Sequence, residues 1–286
     1  MTEDQKMRAA MNKGWRVAPS ALSPEQKRRR LGLNLPAAEV ERMRGAHRLS
    51  SQDALAPAQV DWRAYATPVR DQGNCGSCVA FGVTAAIEAQ AARAGKAGMD
   101  LSEAYLFFCG CGNCCDRGWQ PADALNWCMG YGLIDEECFP YADTNVPCAP
   151  CGDDALVVVE GWHEAYSDRK TVVAEEGPMP VAFMVYDDFF DYAGGVYRHT
   201  WGQYLGGHCV ALFGYDAEGW LCKNSWGPEW GEDGWFRIGF GECGMDNLYP
   251  FWAIDAVSFP EEPPPPPPEP NGCADLVSRL LKGMWR

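Results

Sequence analysis

What this 286-residue chain lacks narrows it first. No apolar run approaches the length of about 20 residues that spans a bilayer, so no membrane-crossing helix is expected. Basic side chains are scarce: 24 Lys and Arg face 39 Asp and Glu, a net charge of −15 that argues against nucleic acid as a partner. Histidine is scarcer still, with four in all, so few side chains can shuttle a proton near neutral pH. A disordered composition is also missing. The chain is 47% hydrophobic with 12 Trp, enough to build one large domain or two lobes.

Residues 1–15 contain no apolar core, so no export leader is visible there, and Arg28-Arg29-Arg30 is not followed by one. Cysteine is abundant instead. Of 14, eight fall at 109, 111, 114, 115, 128, 138, 148 and 151. That density points to disulfides and to an extracytoplasmic or secreted setting, against the missing leader. An unusual export route, a start further upstream and reduced thiols all remain open.

The charge is uneven. Residues 1–57 carry 11 Lys/Arg against 6 Asp/Glu, whereas residues 58–259 carry 10 against 29. A basic leading segment is drawn toward an acidic body, and a merely solvated tail is the alternative. Within it, Ser23-Pro24-Glu25 reads as a helix start and 36–44 as a second short helix. At the other end, 260–270 is a Pro/Glu linker of extended form. Residues 271–286 then place Leu276, Val277, Leu280, Leu281, Met284 and Trp285 on one helical face, with Arg279, Lys282 and Arg286 opposite. Such a helix suits a docking partner, a membrane surface or the body itself.

Between these ends the pattern changes once. Residues 79–94 are Ala-rich and almost wholly apolar, a buried helix stopped by Gly95 and Gly98. Ser102 caps a second helical pattern and Pro121 opens a third. After Cys151, the runs 155–160, 180–186, 208–215, 219–223, 234–240 and 248–256 are β-rich and punctuated by Gly. A helical first half and an antiparallel second half imply an α+β fold of two lobes with a cleft between them.

The stretch Gln72-Gly73-Asn74-Cys75-Gly76-Ser77-Cys78 runs into the first of these helices. Cys78 therefore sits where unpaired N–H groups favour a thiolate. His208 opens a strand after Gly206-Gly207, 130 residues beyond Cys78, and Asn224 in Asn224-Ser225-Trp226-Gly227 lies 146 beyond. The turn at 216–219 brings residues 208 and 224 to one end of a hairpin, where the Asn amide can orient the imidazole under the cover of Trp226. His47 lies in the leading segment, and His163 and His199 match no motif. Alone, each piece has a plain structural reading: a packed thiol, a satisfied His, a turn.

In this order and spacing the pieces resemble papain-like cysteine peptidases. Val60-Asp61-Trp62-Arg63, the run 67–73 and Phe139-Pro140-Tyr141 extend the resemblance over about 58–259, while Val79 replaces the family's aromatic after the nucleophile. The resemblance implies a helical left lobe (about 72–152) and a β-barrel-like right lobe (about 153–259). It further implies Cys78, His208, Asn224 and Gln72 as the catalytic set, with Gln72 and the Cys78 N–H holding the oxyanion. The activity implied is endopeptidase hydrolysis through a thiolate–imidazolium pair and a thioester. A silent peptide-binding pseudo-enzyme and a cysteine acyltransferase or transpeptidase are the alternatives. Gly118 is expected to pair with extended substrates, Trp226 to line the leaving-group side, and Met184 with Leu248 to line an apolar pocket for the second residue upstream of the cut. The basic segment is then an intramolecular inhibitor, and peptides or proteins are the substrates.

The resemblance also implies disulfides Cys75–Cys115 and Cys109–Cys148. Cys138–Cys151 is a further candidate from the remaining set, and Cys111, Cys114 and Cys128 stay unassigned. The position of Cys243 is bridged in relatives, but residues 198–205 offer it no partner. No cofactor or metal is implied, although a zinc site in the run 109–115 is an alternative to disulfides.

Overall fold

The computed structural model describes residues 1–46, 56–152 and 154–260. His47, most of the Pro/Glu linker and the expected helix at 271–286 lie outside the described residues.

The leading segment forms α1 (Glu3–Asn12), β1 (Trp15–Val17), α2 (Pro24–Arg29) and α3 (Ala37–Ala46), one strand and one helix more than the residues suggest. Its starts are locally encoded. Thr2 accepts the Gln5 N–H while the Gln5 side chain accepts the Thr2 N–H, and Ser23 and Gln26 repeat this reciprocal cap ahead of Pro24.

The body begins with β2 (Val60–Asp61) and the long α4 (Cys78–Arg93). The helix expected after Ser102 is there, its hydroxyl accepting the Tyr105 N–H, but it widens into a π-helix over Tyr105–Cys111. Next come α5 (Pro121–Tyr131), β3 (Val158–Ala165), α6 (Arg169–Glu176) and β4 (Met179–Tyr186). The chain closes with β5 (Tyr192–Tyr197), β6 (Tyr204–Tyr215), β7 (Gly219–Lys223), β8 (Trp235–Gly239) and β9 (Phe251–Ser258). The strands form one sheet in the order β1-β5-β8-β7-β6-β4-β9-β3, with β2 beside β6. Most pairs are antiparallel, but β5 and β8 run parallel, a departure from the all-antiparallel expectation. The two strands are separated in sequence by β6 and β7, which supply the long crossover that a parallel pair needs.

Helix α4 joins the two halves. Its residues 78–91 are all buried, and the small side chains let its backbone press on β6. At Gly82 a Cβ would stand 3.0 Å from Cys209 Sγ and 3.1 Å from the Val210 carbonyl carbon, so only glycine allows this approach without a shift. Gly82 lies one turn beyond Cys78, and Cys209 follows His208. The helix–strand crossing therefore brings the helix start and the strand start to the same end.

Four disulfides staple the helical half: Cys75–Cys115, Cys109–Cys148, Cys111–Cys114 and Cys138–Cys151. They consume every thiol of the run 109–115, so the zinc alternative falls. Cys128, Cys209, Cys222 and Cys243 are buried free thiols. The register pairs Cys222 with Leu212, which keeps it away from Cys209.

The leading segment is anchored as a ninth strand: β1 pairs with the edge of β5, and Trp15 is 1% exposed among Tyr192, Tyr197 and Trp201. Burial of this indole is the main apolar contribution of residues 1–17. Trp15→Ala should weaken that docking by about 3–5 kcal/mol while the body stays folded. Hydrogen exchange is the check: amides of 15–17 and 192–197 should lose protection while those of α4 keep theirs.

Candidate active site

Cys78 opens α4 and is fully buried. Its sulfur receives the Gly32 N–H at 3.3 Å. The backbone at Cys209 also lies against the sulfur and, with the N–H groups of residues 78 and 79, favours the thiolate. Burial outweighs these groups and pushes the thiol up to about 11. The thiolate expected from the helix start is thus not the form held here, because the leading segment has sealed the sulfur from water.

His208 is equally buried. Its Nε2 lies 2.8 Å from Asn224 Oδ1, an oxygen that also accepts the Ser225 N–H at 2.8 Å. The amide side chain, so fixed, selects the tautomer with the proton on Nε2 and leaves Nδ1 as the lone-pair face. Nδ1 is buried with no partner among the described residues. Trp226 stands over the ring with centroids 4.8 Å apart, and Phe183 meets it edge-on at 5.8 Å. Burial, partly offset by Asn224 and reinforced by the nearby Arg30 cation, pulls the imidazole down to about 4.

Gln72 reaches the same place from the other half. Its Oε1 accepts Ser225 Oγ–H at 2.7 Å, while Nε2 donates to Cys75 O at 2.8 Å and to Arg30 O at 3.1 Å. The structure therefore gathers Gln72, Cys78, His208, Asn224 and Trp226. Gly118 lies directly against the Gly32 carbonyl. Met184 and Leu248 converge on Gly244, their nearest atoms 3.1 and 3.2 Å from where its Cβ would stand.

The leading segment fills the cleft, where an intramolecular inhibitor is expected, but the residues that do so were not foreseen. Arg30 ends α2, and residues 31–34 then cross the cleft, with Leu33 bridging Trp119 on one side and Gly207 on the other. Leu33 N–H donates to Gly207 O at 3.2 Å, Asn34 N–H to Trp119 O at 2.9 Å, and Trp119 N–H to Gly32 O at 2.7 Å. A Cβ on Gly32 would fall 1.8 Å from Gly76 O, so glycine alone lets the chain lie this close to Cys78. Arg30-Leu31-Gly32-Leu33 resembles no motif; the basic charge of the segment and the family resemblance pointed to docking without naming these residues. The predicted attraction takes specific form in Arg30–Asp71 at 3.0 Å, Arg42–Glu164 at 2.8 Å, Arg16–Glu232 at 3.8 Å and Lys27–Asp191 at 3.9 Å.

Two other places could hold a ligand. His163, Glu176 and Asp255 bring ligand atoms within 4.8 Å of one another. His163 Nδ1 is already hydrogen-bonded to Asp255 at 2.6 Å, and the group is largely exposed. A concavity of about 620 Å³ beside β2, β7 and β8 is lined by the mutually satisfied pairs Arg63–Asp61 and Arg237–Asp216 and has no thiol or aliphatic hydroxyl in its lining.

A thiol, an amide-oriented imidazole and a donor amide at one end of a helix–sheet crossing suit acyl transfer through sulfur. The model of the papain family of cysteine proteases matches residues 56–251. The chain belongs to that family. Cathepsin B-like CP3 of Giardia intestinalis is 36% identical over 242 residues, which span 75% of this chain and 80% of that protein. Cathepsin L-like proteinase of Fasciola hepatica is 33% identical over 214 residues, spanning 69% of this chain and 66% of that protein. Among solved structures, procathepsin B S9 from Trypanosoma congolense superposes with a TM-score of 0.72 over 92% of this chain and 99% of that one, a likeness of fold at 22% identity. The digestive procathepsin L 3 of Tenebrio molitor larval midgut gives 0.69 at 25% identity, covering 88% of this chain and 87% of that one. As a member of this family the chain is a cysteine peptidase, and its α+β fold is the papain-like one.

The buried pair sets a pH test. The folded imidazole sits below its unfolded value of 6.5, so the unfolded or opened state binds the proton first. Closure by the leading segment should therefore weaken as pH falls from about 6.5 to about 4 and then level off. Alkylation of Cys78 by iodoacetamide in the full chain should be slow at pH 7 and faster near pH 4.5. A simple exposed thiol would show the opposite trend.

Proposed function

We propose that this chain is the precursor of a cysteine endopeptidase whose residues 1–46 hold it shut. The observation that carries the reading is the convergence of Gln72, Cys78 and the His208–Asn224 pair beneath one crossing strand of the leading segment.

With the segment displaced, water and substrate reach the sulfur and the desolvation that holds Cys78 as a thiol and His208 as neutral imidazole is relieved. The proton moves from Sγ to Nδ1, the free face of the ring, giving a thiolate–imidazolium pair that Asn224 keeps in register. The thiolate attacks the peptide carbonyl carbon. The oxyanion is received by Gln72 Nε2, which now contacts Arg30 O, and by the Cys78 N–H. The His208 imidazolium protonates the amine as the C–N bond breaks. Water, deprotonated by the neutral imidazole, then cleaves the thioester.

The direction of the leading segment disfavours its own cleavage. It runs from the Trp226 side at Arg30 toward the Met184 side at Leu33. A substrate with its upstream residues at Met184 and Leu248 runs the other way. The segment consequently presents the Gly32 N–H to the sulfur where a substrate presents a carbonyl. Leu33 lies on Gly207, the partner of Met184 in β6, and stands in for the upstream apolar residue. A bulky apolar residue is therefore the preferred second residue upstream of the cut. Neither silent peptide binding nor transfer to an amine acceptor draws support from any feature of the site.

The test is kinetic. In the activated protein, Cys78→Ala and His208→Ala should each lower kcat/KM by roughly 10³-fold or more, and Gln72→Ala by roughly 10²-fold. Peptides with Phe two residues upstream of the cut should be cleaved at least about tenfold better than those with Arg there. Parent-level rates in the Cys78 or His208 variants would refute the mechanism; equal cleavage of the two peptides would refute the pocket assignment alone.

A further inference from the structure

Beyond the nucleophile, on the Trp226 side, a groove of about 410 Å³ remains beside the leading segment. Its wall on the body is aromatic: Phe190 stacks on Trp226 with centroids 4.3 Å apart and planes 6° from parallel, and Trp230 meets Trp226 edge-on at 5.1 Å. Carboxylates flank this wall. Asp71 forms an isolated bridge with Trp226, Glu229 lines the groove, and Asp191, next to Phe190 in the chain, accepts the N–H of the groove residue Ser20 at 2.9 Å.

The leading segment places one cation on each flank. The Arg30 guanidinium, its side chain 12% exposed, donates to Asp71 Oδ1 at 3.0 Å. Lys27 Nζ stands 5.3 Å over the Phe190 ring and 3.9 Å from Asp191 Oδ1. Arg30 is also the residue whose carbonyl touches Gln72 Nε2, so its side chain departs from the cleft beside the reacting position. When the segment leaves, Asp71 loses its cation at the entrance to the leaving-group side.

We infer that Asp71 is a specificity-determining residue, selecting substrates with Arg or Lys in the first two positions downstream of the cut. This deepens the peptidase reading and rests on it. The aromatic wall supplies a surface for the aliphatic stem, and the carboxylate supplies the charge, a pairing suited to a long basic side chain. Neither group reacts. Asp71 acts on binding of the leaving portion and should influence KM more than kcat.

The assay uses the full chain after release of its leading segment, with internally quenched peptides identical except for Arg, Ala or Glu in the first or second position downstream. The parent should favour Arg over Glu by about tenfold in kcat/KM at one of these positions, since attraction to one partner and repulsion of the other combine. Asp71→Asn keeps the oxygen that accepts the Gly73 N–H at 2.9 Å and removes the charge. It should reduce the discrimination to below about threefold, and Asp71→Lys should reverse it. High ionic strength should compress the parent's preference in the same way. A parent that discriminates less than twofold, or an Asp71→Asn protein that keeps the parent's preference, overturns the inference and leaves the peptidase reading intact. Failure of the parent to cleave any of these peptides would overturn both.

Discussion

An N–H group of the protein's own backbone lies on the sulfur, and everything else in the molecule can be read from that contact. To bring Gly32 to Cys78, the chain has to cross the cleft with no side chain at the crossing point. To make the crossing firm, it uses two ladder bonds at Leu33 and Asn34, a strand at the sheet edge and an indole in the core beneath it. Cys78 and His208 are both buried there, and burial raises the pKa of the thiol and lowers that of the imidazole, favouring the uncharged forms, because a buried charge without a fully paired partner is costly. In the proposed precursor, the same residues that block access remove the solvent that would sustain a thiolate.

Charge distribution then acquires a purpose. The basic segment and acidic body meet at four identified pairs, most of them near the surface and individually weak. Arg30 differs in position. Its guanidinium reaches Asp71 and also disfavours protonation of His208, while its carbonyl occupies the Gln72 amide. One residue thus engages three parts of the site, and its loss would affect all of them together.

Much of this was legible beforehand. The Ala-rich helix was expected at 79–94 and is found as Cys78–Arg93, because small apolar residues and a glycine stop leave little alternative. Most strands fell within a few residues of their sequence-based bounds; β6 starts earlier, at Tyr204, because Gly206 and Gly207 lie flat against the crossing segment. The His208–Asn224 pairing followed from one turn. Other features depend on partners distant in sequence. The parallel β5–β8 pair, the π-helix at Tyr105–Cys111 and the Cys111–Cys114 bridge are settled by packing, and no local propensity announces them. The path of residues 15–34 was hidden for the same reason: a Gly between two Leu becomes meaningful only when Gly76 is opposite it.

The central claim is that the leading segment holds the imidazole neutral. The most direct measurement is a nitrogen-detected NMR titration of His208 in the full chain and again after the segment is released. The account requires a neutral ring, protonated on Nε2, between pH 5 and 7 while the segment is in place, and an imidazolium over the same range once it has gone. An imidazolium already present in the closed chain at pH 7 would contradict it.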